Sequence, residues 1–102
     1  MTQLVFEDRI GKPCSIFDLN FLQIVYPHWD FNESSERLFE LVKKEILEVS
    51  KNHKKYEDFE FKDKETKNFL VNQSNNVLLH LKRLKRFLEE GIDKGYKLVL
   101  DS

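Results

Sequence analysis

From Glu33 to about Asn52 the apolar residues Leu38, Phe39, Leu41, Val42, Ile46, Leu47 and Val49 recur at three- and four-residue intervals, and Glu36, Glu40, Lys43, Lys44 and Glu48 occupy much of the rest. A turn of 3.6 residues gathers such a set on one side, so the segment is predicted to be an amphipathic helix. Asn32 is a suitable N-cap, and the cationic last turn (Lys51, His53, Lys54, Lys55) suits the negative end of the helix dipole. A helix of this kind cannot shield its own apolar stripe. The remainder of the chain has to cover it.

A second stripe offers that cover. Phe69, Leu70, Val77, Leu81, Leu84, Leu88 and Ile92 fall on one line of a helix that Asp63 can cap and that reaches Lys94, with Gly95 placed for a left-handed C-terminal cap. The polar run Asn72-Gln73-Ser74-Asn75-Asn76 has modest helix propensity and predicts a kink there. Around these helices, Gln3 to Glu7 reads as a short strand and Gly11-Lys12-Pro13 as a break.

Residues 16–25 admit two readings. The favoured one is a helix, with Ser15 and Asp18 at its start, Ile16, Leu19, Leu22 and Tyr26 on one stripe, and Pro27 ending it. The rival pairs Cys14 to Asp18 with the first strand as a hairpin and leaves a shorter helix behind. Tyr56-Glu57-Asp58-Phe59-Glu60-Phe61 alternates aromatics with acids and predicts a half-buried strand, and Tyr96 to Leu100 predicts a closing one. The expected order is strand, helix, helix, strand, helix, strand. The fold class that buries every apolar face at once is α+β and helix-rich, with a small sheet of about three short strands packed against three helices.

At 102 residues, with nine Phe, three Tyr and one Trp beside abundant Leu, Ile and Val, residues 1–102 are expected to form a single compact domain rather than a disordered chain. Lys+Arg 17 against Asp+Glu 18 leaves a net charge of −1, so any charge-driven binding has to come from local segregation. A lone cysteine, Cys14, permits no internal disulfide and points to a reducing compartment, hence a cytoplasmic protein. Neither a secretory leader nor an apolar run of membrane-spanning length is visible, so no membrane association is expected. Abundant Lys, Asn, Glu and Phe beside few Gly and Pro suggest an AT-rich, bacterial coding sequence.

Three glycines, at positions 11, 91 and 95, form no phosphate loop, nucleophile elbow or dinucleotide fingerprint. His28, His53 and His80 lie far apart without a second ligand at helical spacing, so neither a metal nor another cofactor is expected. His53 reads as an exposed side chain at a helix C-terminus, His80 as a partly buried and hydrogen-bonded one, and Cys14 as a small residue at the core's edge. The chain is therefore not expected to be an enzyme.

Two surfaces carry local charge. Tyr26, Trp29, Asp30, Glu33, Glu36 and Glu40 combine aromatics with acids beside a helix start, and tryptophan flanked by charge is a frequent anchor of protein interfaces. Lys82, Arg83, Lys85 and Arg86 put four cations within about one and a half helical turns and could neutralise phosphates. The bland reading of the cations is a solvated helix face laced to Glu89 and Glu90, that of the acids is a favourable helix N-terminus, and that of Trp29 is a plug that fills the core from a loop. A small module without a catalytic set, carrying an acidic patch beside a tryptophan, fits an inhibitor of a partner protein, such as an immunity protein or antitoxin facing a basic nuclease toxin. The alternative is a regulatory protein that grips nucleic acid with the basic cluster.

Overall fold

The computed structural model describes residues 2–101. Its elements are β1 (Gln3–Glu7), β2 (Pro13–Asp18), α1 (Asn20–Val25), α2 (Ser35–Asp58), α3 (Lys64–Asp93) and β3 (Lys97–Asp101). The sheet is antiparallel with order β2-β1-β3, so the first strand is central and the chain's last strand returns to pair beside it. The α+β class with three strands and three helices holds; two of the expected elements do not.

The first correction concerns residues 16–25, where the hairpin reading is the right one. Gly11, at φ +80°, closes a loop in which the Asp8 carboxylate accepts from the backbone N–H groups of Ile10 (3.0 Å) and Lys12 (2.9 Å). Phe6 pairs with Ser15 and Glu7 with Pro13, so Cys14 is the extra residue of a bulge. The helical stripe misleads because Ile16 is 59% exposed while Phe17, which that stripe ignores, turns inward against Phe87 at 5.5 Å. Only α1 remains of the helix, and Asp18 caps it by accepting from Asn20 N–H at 2.8 Å.

The second correction is that Tyr56 to Phe61 is not a strand. The first stripe extends past Asn52 through His53 and Tyr56, so α2 runs on to Asp58, and the Phe59 N–H closes the last turn on the Lys55 carbonyl at 3.0 Å. Phe59 and Phe61 then meet edge to face at 4.8 Å in the loop to α3. The start of α2 also moves: Ser34, not Asn32, is the N-cap, its hydroxyl accepting from Arg37 N–H at 3.4 Å.

Asp63 caps α3 as expected, taking the Glu65 N–H and the Thr66 hydroxyl at 3.0 Å each. The helix is continuous through Asn72 to Asn76, where the polar run predicts a kink. At its end Gly95, at φ +72°, donates to the Ile92 carbonyl and Tyr96 to that of Gly91, both at 3.0 Å, which is the paired bond pattern of a Schellman cap.

The core lies where the sheet meets the C-terminal half of α3. Leu4 and Phe6 of β1 are wholly buried, with Leu19 and Leu22 from the first helical segment, Val42 of α2 and Leu81, Leu84 and Leu88 of α3. Beyond this junction α2 and α3 run on as a two-helix arm, so the molecule measures 57 × 25 × 20 Å.

Candidate functional site

Between α1 and α2 the chain makes an aromatic ladder. Pro27 cannot extend α1, and a turn in which Trp29 N–H donates to the Tyr26 carbonyl at 3.1 Å reverses the path. Trp29 then stacks on Tyr26 with centroids 4.0 Å apart and 17° between planes, and Phe31 leans on it at 5.9 Å. Tyr26 and Phe31 are buried, while Trp29 is half-buried. The tryptophan therefore plugs the core with one side and shows the other to solvent, so both sequence readings of it describe part of the truth.

Tyr26 is not a surface residue. Its hydroxyl donates to Glu45 Oε1 at 3.2 Å, and burial, reinforced by the Glu45 charge and that bond, pushes its ionisation well above the ordinary tyrosine range. It acts by holding Trp29. In front of Trp29 lies a cleft of about 310 Å³ lined by His28, Trp29, Asp30, Glu33, Arg37, Leu38 and Leu41.

Acids follow along α2 from this cleft. Glu33 pairs with Arg37 at 3.7 Å and Glu40 with Lys43 at 2.8 Å, while Glu36, among the described residues, accepts only from the Ser35 hydroxyl, at 3.2 Å. Asp30 caps its own turn by accepting from Asn32 N–H at 2.9 Å. The ion pairs here are exposed, and exposed pairs contribute only about 0–1 kcal/mol each, so an incoming cation can exchange with them at little cost. Trp29, Asp30 and Glu33 thus share one cleft; Glu36 and Glu40 lie on the same helix but do not line it.

The basic cluster is less united than its spacing implies. Leu84 is buried as expected, but Lys85 is half-buried, and Arg86 is engaged with Glu90 at 3.6 Å. Lys82 and Arg83 are exposed and make no ion pair among the described residues.

A polar relay that sequence spacing does not suggest joins the two long helices. His53, far from being exposed, reaches Ser74 Oγ with Nδ1 at 2.6 Å and Glu57 with Nε2, and the Ser74 hydroxyl lies 3.0 Å from the Val71 carbonyl. Acid, imidazole and hydroxyl in a row are the parts of a nucleophile relay. Here, however, the serine sits in mid-helix, where the neighbouring amides are committed to their own i−4 carbonyls and cannot form an oxyanion hole. The geometry is that of a clasp between α2 and α3. The signal that could have found it is Ser74 itself, a small polar residue in line with the apolar stripe.

Cys14 is exposed rather than at the core's edge, and its thiol donates to the Lys12 carbonyl at 3.4 Å. Among the described residues no cluster of three His, Cys, Asp or Glu side chains could hold a metal ion, and no helix is long and apolar enough to cross a membrane. Comparison with protein-family models, with curated proteins and with solved structures finds no match for this chain.

Proposed function

We propose that the chain is a protein-binding module that inhibits its partner, in the manner of an immunity protein or antitoxin, and that it acts in the cytoplasm of a bacterium whose toxin is a basic enzyme such as a nuclease. The observation that carries this reading is the Trp29 cleft: a rigidly stacked indole beside Asp30 and Glu33, with Glu36 and Glu40 on the adjoining turns of one helix. A preorganised aromatic anchor lowers the entropy cost of docking, and a row of carboxylates matches the phosphate-binding face of a nuclease and steers its approach. The interface is built on a helix and a stacked turn, which hold it in place before the partner arrives.

The first test is whether an adjacent gene encodes a toxin-like protein, its absence counting against this reading; the second is co-expression with that product and affinity measurement on the purified pair. Trp29→Ala is expected to weaken binding by about 2 kcal/mol or more, as hot-spot truncations do. Reversing Glu33, Glu36 and Glu40 to Lys is expected to slow association and abolish protection. Unchanged affinity after that triple reversal rules this surface out. The nucleic-acid reading retains Lys82 and Arg83 as its support; it predicts a plot of log affinity against log salt with a slope of about −2, and filter binding at low salt decides it.

A further inference from the structure

Where β2 and α1 meet α3, a second cleft of about 250 Å³ is lined by Phe17, Asp18, Phe21, His80 and Arg83. It is smaller than the roughly 300–1,000 Å³ usual for drug-sized ligands, so it has room only for a small molecule. Three elements meet there: the end of β2 gives Phe17 and Asp18, α1 gives Phe21, and α3 gives His80 and Arg83 one turn apart. Its apolar part is preformed, because Phe17 packs on Phe87 at 5.5 Å and Phe21 stacks on the His80 ring at 4.1 Å.

The charges are the informative part. Asp18 and Arg83 line one small cleft with opposite signs, yet they are not within ion-pair distance of each other, and neither pairs with any other described residue. One Asp18 oxygen is used to cap α1, which leaves the other for a ligand donor. His80 Nδ1 faces the Asn76 carbonyl at 2.9 Å, an acceptor, so that nitrogen carries a proton and Nε2 is the ring's remaining polar atom. A lone cation would be repelled by Arg83 and a lone anion by Asp18; a ligand bearing both charges satisfies both.

We propose that this cleft binds a free α-amino acid with an apolar side chain, its carboxylate on the Arg83 guanidinium, its ammonium on the Asp18 carboxylate, and its side chain against Phe17 and Phe21. This site is separate from the Trp29 surface and makes the module responsive to a small metabolite. Both charged groups are solvated, so the contacts are modest and the dissociation constant falls on the order of 0.1–1 mM.

The experiment is an NMR titration of the full chain with L-phenylalanine through the millimolar range, following backbone amides of residues 17–21 and 80–83. Saturable shifts confined to these segments are expected. N-acetyl-L-phenylalanine, which lacks the ammonium, and L-phenylalanine amide, which lacks the carboxylate, are each expected to bind at least about tenfold more weakly, equivalent to 1.4 kcal/mol. Arg83→Gln should abolish the preference for acid over amide, and Asp18→Asn the preference for free over acetylated amine; Arg9→Gln, on the hairpin loop at the other end of the sheet, should change neither. The side-chain carbonyl that Asp18→Asn retains can still cap α1, and thermal unfolding verifies that both variants fold. Absence of saturable shifts, equal binding of the three ligands, or wild-type affinity in Arg83→Gln would each overturn the proposal.

Discussion

A methyl group at Gly91 would stand 2.2 Å from the ring edge of Phe6, a side chain with no exposed surface. Alanine is the better helix former by about 1 kcal/mol, so an unpacked site would gain from the change. Here the ring is hemmed in, with Phe87 at 4.8 Å, and overpacking of about 1–3 kcal/mol outweighs propensity. Gly91→Ala is therefore expected to lower the urea midpoint, and a raised midpoint would show that the Phe6 ring has slack. Tyr26 makes a second single-residue prediction. Its pKa is raised in the native state, so above the unfolded value of about 10 the unfolded chain loses its proton first and binds fewer than the native one. Stability must then fall with rising pH, by at most about 1.4 kcal/mol per pH unit from this group, and be unaffected by it below pH 10 or so. Tyr26→Phe should remove that alkaline decline in a pH series of melts, at a cost near neutrality of about 0.5–1.5 kcal/mol for the bond to Glu45.

At the scale of elements, the clasp between α2 and α3 is the testable contact. Ser74→Ala leaves the His53 Nδ1 facing an apolar seam, and should cost about 1–3 kcal/mol. Paired with His53→Ala in a double-mutant cycle, it should show a coupling of at least about 0.5 kcal/mol. Additive effects would mean that the two side chains are merely adjacent. Both long helices are legible in the sequence because their stripes are long enough to average over local exceptions, and Asp63 and Gly95 mark real caps. Short segments are not. Ile16, Leu19 and Leu22 satisfy a helical spacing, but the backbone of β1 needs a partner on each side, and pairing residues 13–18 with it satisfies more polar groups than one further helical turn. Tyr56 to Phe61 alternates like a strand, yet the pull of a formed helix with a continuing inner line through His53 and Tyr56 prevails over a six-residue pattern with no strand beside it.

Across the whole molecule, charge and aromatic patches can be read from sequence only as intervals along the chain; which of them share a cleft depends on the turn at Pro27 and on the hairpin. The spacing places Glu33, Glu36 and Glu40 near Trp29 correctly, since one helix and its lead-in carry them all, but it assigns Tyr26 to the surface and cannot bring Asp18 to Arg83 across 65 positions of sequence. The same distribution of contacts sets how the molecule opens. The buried side chains of α2 are Leu38 and Val42, in its first half, and those of α3 begin at Ser74. From Val49 outward to Phe59, and back from Lys64 to Gln73, no side chain is buried, and Phe59 and Phe69 are 61% and 64% exposed. Apolar burial is what offsets the entropy of ordering a residue, so the outer arm holds less of the stability than the part seated on the sheet. Hydrogen exchange on the native protein should divide α2 and α3 accordingly: amides flanking Val42 and Leu81 to Leu88 open only with global unfolding, whereas those of Lys54 to Asp58 and Thr66 to Leu70 exchange through a local opening several kcal/mol lower in free energy. The His53 clasp sits at the boundary between the two zones, and Ser74→Ala should lower protection in the outer zone more than in the inner one. Equal protection along both helices would mean that the arm and the sheet-bound core form one cooperative unit, with the clasp carrying cooperativity that apolar burial alone does not supply.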